Sequence, residues 1–557
     1  MADAGRARPR PRRLPGPWTL ASAAIALLVL APLAALVAAA APGSDSLWEH
    51  LIAFVLPGAA RDTLLLLAGV GVVTTVVGTG AAWLVTAYDF RGRQVLDWAL
   101  LLPLAVPTYI IAYAYLDVLH PVGPVQTALR FVLGIDSPRD FRLPDVRSMG
   151  GCILVLGFVL YPYVYLTTRA MFQMQAANLL DAARTLGIGR HALFARVALP
   201  LARPAVAVGV SLTLMEALND IGAAEFLGVR TMTVAIYTTW ITRTDLPGAA
   251  QIALAMLVIV VGLILLERWA RHQRRYANDA QHPRPLAPHR LRGWPGMAAA
   301  AACALPVVLG FVVPAAYLVD ASIARVRFAG LSPRLFAETL NTVTVSAVAT
   351  VVTLAAGLAV VYAMRLGRGW GPAALTRAAS LGYAVPGTVL AIGLLPVVTG
   401  ADSAFAWARG APMQLFVLGS GAALVYAYVA RFLAIATGSL EAGFSRIAPA
   451  LDDAARTLGE SDARRLWRLH LPLLRPAAAT AALLVFVDCM KELPATLLLR
   501  PVGFETLATH LYGEAVRGTY EDAAIAALLI VVVGLLPVLV LARVIRRSGV
   551  GGQAPGF

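Results

Sequence analysis

The sequence predicts an all-α polytopic membrane protein made of two tandem six-helix halves. Three observations carry that reading. The first is hydropathy. Hydrophobic residues make up 59% of the 557-residue chain and charged residues 14%, with a mean hydropathy of +0.73. Apolar stretches of about 20 residues recur along it, each long enough to cross a bilayer as a helix. The second is an internal repeat. Leu179-Leu180-Asp181-Ala182-Ala183-Arg184-Thr185-Leu186-Gly187 returns as Leu451-Asp452-Asp453-Ala454-Ala455-Arg456-Thr457-Leu458-Gly459, 272 residues later. The third is the position of the arginines, which gather in the polar connections between apolar runs.

Taken in order, the first-half spans are expected near 18–41, 63–88, 96–119, 148–170, 201–228 and 248–266. Those of the second half are expected near 296–320, 339–364, 378–400, 414–438, 473–499 and 521–543. The first run, Thr19 to Ala41, is longer than a typical signal-peptide core, although Ala39-Ala40-Ala41 resembles a cleavage site; it is read as a retained first helix. The halves align outside the islands as well. Asp62-Thr63 matches Asn341-Thr342, and Pro107-Thr108 matches Pro386-Gly387, both at an offset of 279. The offset shortens to 272 after the loop near 120–147, which is longer in the first half. Six spans per half make the repeats parallel, related by an axis along the membrane normal.

The domains are therefore expected at 1–266, with an island at 177–204, and at 296–557, with an island at 449–476. Between them, 267–295 is read as a polar cytoplasmic linker without regular structure, rich in Arg and containing Pro283, Pro285, Pro288 and Pro295. Arginines in the N-terminal tail, in this linker and in the C-terminal tail place all three on one side, and the positive-inside rule makes that side cytoplasmic. The loop 120–147 dissents in part, with Arg130, Arg139, Arg142 and Arg147 offset by Asp136, Asp140 and Asp145.

Several function classes drop out. A formal net charge of +15 would point to nucleic acid in a soluble protein. Here topology and anionic lipid account for it, and no nucleic-acid partner is expected. Cys152, Cys303 and Cys489 lie in or beside apolar runs, form no C-x-x-C and read as packing residues. No catalytic nucleophile or histidine-carboxylate cluster is visible, so no catalytic residue, resident cofactor or stably bound metal is expected. A Walker A loop needs Gly-Lys before Ser or Thr, and the sole lysine, Lys491, lies between Met490 and Glu492.

Within each island, Leu179, Ala183 and Leu186, and likewise Leu451, Ala455 and Leu458, fall at helical spacing. Asp181 and Asp453 sit early, where a carboxylate favours a helix N-terminus. Gly187 and Gly459 fit the position that ends such a helix, and Pro449 suits a first turn. Thirteen residues after each glycine, Pro200 and Pro472 open Leu-Pro-Leu-x-Arg-Pro. An unconstrained loop would not keep these residues at this spacing twice.

The doubled island resembles the EAA motif of permease subunits of binding-protein-dependent ABC importers, with Asp in place of the usual Glu. The resemblance covers nearly the whole chain. It implies two tandem type I permease domains of the methionine-permease kind (MetI-like), and docking of Asp181, Ala182, Ala183, Gly187 and Pro200, and of Asp453, Ala454, Ala455, Gly459 and Pro472, on a separate ATPase. It also implies two ATPase copies that hold ATP and Mg, a periplasmic solute-binding protein and a bacterial inner-membrane location. The segments 214–230 and 487–508 are similar to the ferric-iron permease, which implies ferric iron as cargo; thiamine or a phosphonate is the alternative. A secondary transporter also has twelve helices in two parallel halves, but it leaves the island unexplained.

Four ionisable residues stand out behind the islands. Glu216 and Asp220 are four apart, and Asp488 and Glu492 occupy the matching positions, so each pair is expected on one helix face. Carboxylates in a span are costly and face a partner or a water-filled path. They read either as an oxygen-rich lining for a hard cation, with Lys491 neutralising one, or as gate contacts between helices. Tyr109, Tyr113, Tyr115, Tyr161, Tyr163 and Tyr165 read as membrane-interface aromatics.

Overall fold

The computed structural model describes residues 16–43, 47–174, 189–272, 288–367, 370–410 and 415–550. Among these, eleven helices are long and apolar enough to span a membrane. A further pair, Arg93–Ala105 and Thr108–Val118, is bent by 93° at Val106-Pro107 and makes the twelfth when counted as one broken span. Proline lacks the amide that would continue the helix, so the chain turns there. The expected fold class and the twelve spans are both realised.

The boundaries differ in instructive ways. The second span starts at Trp48, so Asp62-Thr63 lies inside it rather than before it. Thr63 Oγ1 accepts from the Met232 amide at 2.9 Å, and Thr342 Oγ1 accepts from the Leu507 amide at 2.8 Å. The repeated threonine thus anchors the segment after the island span in both halves. The linker is shorter than expected. Helix Leu246–His272 runs past 266, Trp294 opens the next helix, and His289–Arg290 pairs in parallel with Tyr88–Asp89. Residues 273–287 lie outside the described set. The dissenting loop contains a helix, Pro124–Leu133, and Arg130 is buried, donating to Pro121 O at 2.7 Å. That arginine is consumed locally and carries little topological weight.

The halves are interwoven. Helix Pro17–Ala40 of the first half packs on second-half helices Pro333–Leu366 and Gly387–Arg409. Pro32 leaves the Leu28 carbonyl without its helical donor, and Tyr426 of the other half supplies one at 2.5 Å. The converse contact is Tyr115 donating to Leu309 O at 2.6 Å, where Pro314 fails to donate. In lipid no water replaces such lost donors, so a neighbouring helix must. All four π-helical segments among the described residues, Leu51–Val55, Phe194–Ala198, Val308–Val312 and Leu466–His470, end two residues before a proline. A π turn is how each helix absorbs the missing amide.

Candidate functional site

The second island folds as helix Pro449–Thr457, with proline in its first turn as expected. Gly459 adopts φ +78° and donates to Arg456 O at 3.0 Å, while Glu460 donates to Ala455 O at 3.1 Å. This is the left-handed helix stop for which glycine was expected. Leu451, Ala454, Leu458 and Asp453 are exposed, leaving one side of the helix open to solvent. The first-turn carboxylate is not Asp453 but Asp452, which is buried. Asp453 lies a residue further on, its side chain 72% exposed. Of the first island, Asp181, Ala182, Ala183 and Gly187 lie outside the described residues. Pro200 and Pro472 open the membrane helices Leu199–Asn219 and Leu471–Met490, each just after a π turn.

The four carboxylates behind the islands converge on one cavity of about 120 Å³ on the seam between the halves. Glu216, Asp220, Asp488 and Glu492 all line it, together with Lys491, Arg431, Tyr109, Tyr163 and Tyr383. The expected shared helix faces are absent. The two membrane helices end at Asn219 and Met490, so Asp220 and Glu492 sit beyond their last turns. The spans expected at 201–228 and 473–499 stop there too. Short helices Gly222–Phe226 and Pro494–Leu499 follow, and each carboxylate accepts their first amides. Asp220 Oδ1 accepts from Ala223 at 2.7 Å and Ala224 at 3.3 Å. Glu492 accepts from Ala495 at 3.1 Å and Thr496 at 3.0 Å. These amides have no partner inside their own helix, and a carboxylate is a strong acceptor for them.

The halves complete the two carboxylates differently. Asp220 also accepts from the Thr108 hydroxyl. At the position matching Thr108 stands Gly387, and the space it leaves is filled by Arg431, whose guanidinium binds Glu492 Oε1 at 2.7 Å. A Cβ on Gly387 would sit 2.2 Å from that guanidinium and 2.8 Å from the carboxylate. Glu216 and Asp488 meet side chains instead of helix amides. Tyr383 donates to Glu216 across the seam at 3.4 Å, and Lys491 lies 2.8 Å from Asp488. Asn219 Oδ1 accepts from the Gly387 amide at 2.7 Å, and Tyr109 donates to Lys491 O at 3.3 Å, both between halves.

The tyrosines correct the interface-aromatic reading. Tyr109, Tyr113, Tyr161 and Tyr165 are buried, and Tyr109 and Tyr163 line the cavity. Arg431 and Tyr383 were not singled out from sequence. Arg431 had a legible signal, as the cation in the middle of the apolar run Ala422–Phe444. Tyr383 had none.

The profile of the family described as "Binding-protein-dependent transport system inner membrane component" matches residues 74–275 and 352–548. The chain is 26% identical over 486 residues to a probable ABC transporter permease protein of Sinorhizobium fredii, covering 84% of this chain and 83% of that one. It is 24% identical over 485 residues to an Fe(3+)-transport system permease protein of Haemophilus influenzae, covering 86% and 89%. A probable molybdenum ABC transporter permease protein of Haloferax volcanii is 32% identical over 261 residues, covering 46% of this chain and 91% of that one.

Proposed function

The chain belongs to the family of inner membrane components of binding-protein-dependent transport systems, and from that premise we propose that it imports ferric iron. As an ABC importer permease it contributes the membrane path, and ATP hydrolysis resides in a partner. With the family established, an ATP-independent transporter or a membrane enzyme is no longer a rival. In the proposed cycle a periplasmic binding protein delivers cargo to the outer face. Two ATPase copies close on ATP and Mg against the island helices, Asp181, Ala182, Ala183, Gly187 and Pro200 in one half and Asp453, Ala454, Ala455, Gly459 and Pro472 in the other. The motion opens the seam between the halves.

The observation that supports a cation is the charge of the seam cavity. Four carboxylates face two cationic side chains there, Arg431 and Lys491. Such a lining favours a hard cation that takes oxygen ligands. Asp220 and Glu492 are engaged as helix caps, so the path role falls mainly on Glu216 and Asp488. A second reading, an oxyanion of molybdenum, draws on the Haloferax relative and on Arg431 and Lys491.

Glu216→Gln with Asp488→Asn tests the choice, because both changes keep shape and remove charge. Uptake of ferric iron by the reconstituted transporter is expected to fall about tenfold or more, the size of a lost charged contact. Binding-protein docking and basal ATPase activity stay intact. Wild-type iron uptake in this variant, or molybdate uptake in the parent, would remove the ferric assignment and leave the importer.

Orientation is proposed from the arginines, with N-terminus, linker and C-terminus cytoplasmic. A reporter fused at Gln281 is expected to behave as cytoplasmic, and an extracytoplasmic signal there would refute the arrangement.

A further inference from the structure

The second island is fastened to the membrane helices through Arg365 and the buried Asp452, and the matching first-half positions hold Thr86 and Leu180. Asp452 Oδ2 lies 2.8 Å from Arg365, which also donates to Ile447 O at 2.9 Å and Phe444 O at 3.4 Å. Asp452 Oδ1 lies 2.9 Å from His470 Nε2 and 3.9 Å from Arg465. His470 and Arg465 are almost fully buried, and Arg465 also pairs with Asp462. One carboxylate on the island helix therefore holds Pro333–Leu366 through Arg365 and the end of Ala422–Phe444 through that same guanidinium, while Arg465 and His470 of Asp462–Met490 lie close to its other oxygen.

At the repeat offsets, the first half has Leu180 for Asp452, Thr86 for Arg365, Leu193 for Arg465 and Ala198 for His470. None of these can ion-pair. Leu180 lies outside the described residues; Thr86, Leu193 and Ala198 are buried. Around them Trp83 packs on Phe172 and Phe194, both at 5.2 Å between ring centroids. The first half does own a buried ion pair, Arg169 on both oxygens of Asp97 at 2.6 Å. That pair joins helix Arg93–Ala99 to Met149–Met174.

We propose that Asp452 is a positioning residue that fixes the second island helix to the membrane helices through Arg365, so that the second half transmits ATPase motion through a buried ionic mount. The Arg365 contact is directional and short, and the buried carboxylate cannot slide off that guanidinium without leaving charge unpaired. The inference rests on the importer reading and is independent of the cargo.

The test uses the full transporter, with its ATPase and binding protein, in proteoliposomes. The readout is the ratio of ATPase activity with and without loaded binding protein, at equal amounts of assembled complex. Asp452→Asn is expected to retain the ATPase but to lose about tenfold of that stimulation, as befits breaking a buried charge cluster. Glu441→Gln, an exposed carboxylate nearby, keeps it. The quadruple variant Arg365→Thr, Asp452→Leu, Arg465→Leu and His470→Ala installs the first half's residues and is expected to restore stimulation to about half or more, since a matched apolar cluster replaces a buried ion cluster well. Unchanged stimulation in Asp452→Asn, loss of the ATPase from that variant, or a membrane-inserted quadruple variant without recovery would each overturn the proposal. If Gly459→Val also leaves stimulation unchanged, the coupling reading itself fails; if it abolishes stimulation while Asp452→Asn does not, only the mount is wrong.

Discussion

Arg431→Ala is expected to destabilise the protein by about 3–5 kcal/mol, because it strands the Glu492 carboxylate in a buried site. The Glu492 side chain is 2% exposed and that of Arg431 11%. Relief should therefore come from removing the charge rather than the side chain. Arg431→Ala combined with Glu492→Gln is expected to recover most of the lost stability, with the amide still capping Pro494–Leu499. Thermal unfolding in detergent reads both. An Arg431→Ala protein that melts with the wild type would show that water or Lys491 compensates Glu492, and the seam would then be wetter than its packing implies.

Gly459→Val is expected to uncouple the second half. The residue sits at φ +78°, where a β-branched side chain costs roughly 1–2 kcal/mol or more. Nothing crowds the position, so the penalty is conformational and the membrane core is untouched. The helix stop shifts, and Leu458 and the exposed alanine face move with it. Protein should reach the membrane in normal amount while uptake collapses and co-purification with the ATPase weakens. Normal uptake together with normal ATPase association would rule out a docking role for this helix.

The arrangement of the carboxylates shows where sequence reading stops. Glu216 and Asp220, at i and i+4, were expected to share a face, and so were Asp488 and Glu492. All four do meet at one cavity, but by another route. The helices end between the members of each pair, and the outer member caps the next short helix. Helical spacing assumes a continuing helix, and Asn219-Asp220 carries no proline or glycine to end one. The stop is set by what the following turn needs, an acceptor for its free amides. Arg431 was legible as a cation within an apolar run, but its partner Glu492, 61 residues away, was not. Asp452 was passed over because the repeat aligns Asp453 with Asp181 and Asp452 with Leu180, while burial picks out Asp452.

The sequence by itself determined the class, the doubling and the islands. Hydropathy over about 20 residues is a property of the segment alone, because lipid accepts only a helix there. The repeat is a comparison of the chain with itself, and Gly459 ends its helix through its own backbone freedom. Only the tertiary structure decided which carbonyls freed by Pro32 and Pro314 are satisfied by tyrosines of the opposite half, which carboxylate of the second island is buried, and how Glu216, Asp220, Asp488 and Glu492 face one cavity with Arg431. Each depends on contacts between segments far apart in the chain, where packing geometry, and not local spacing, selects the partner.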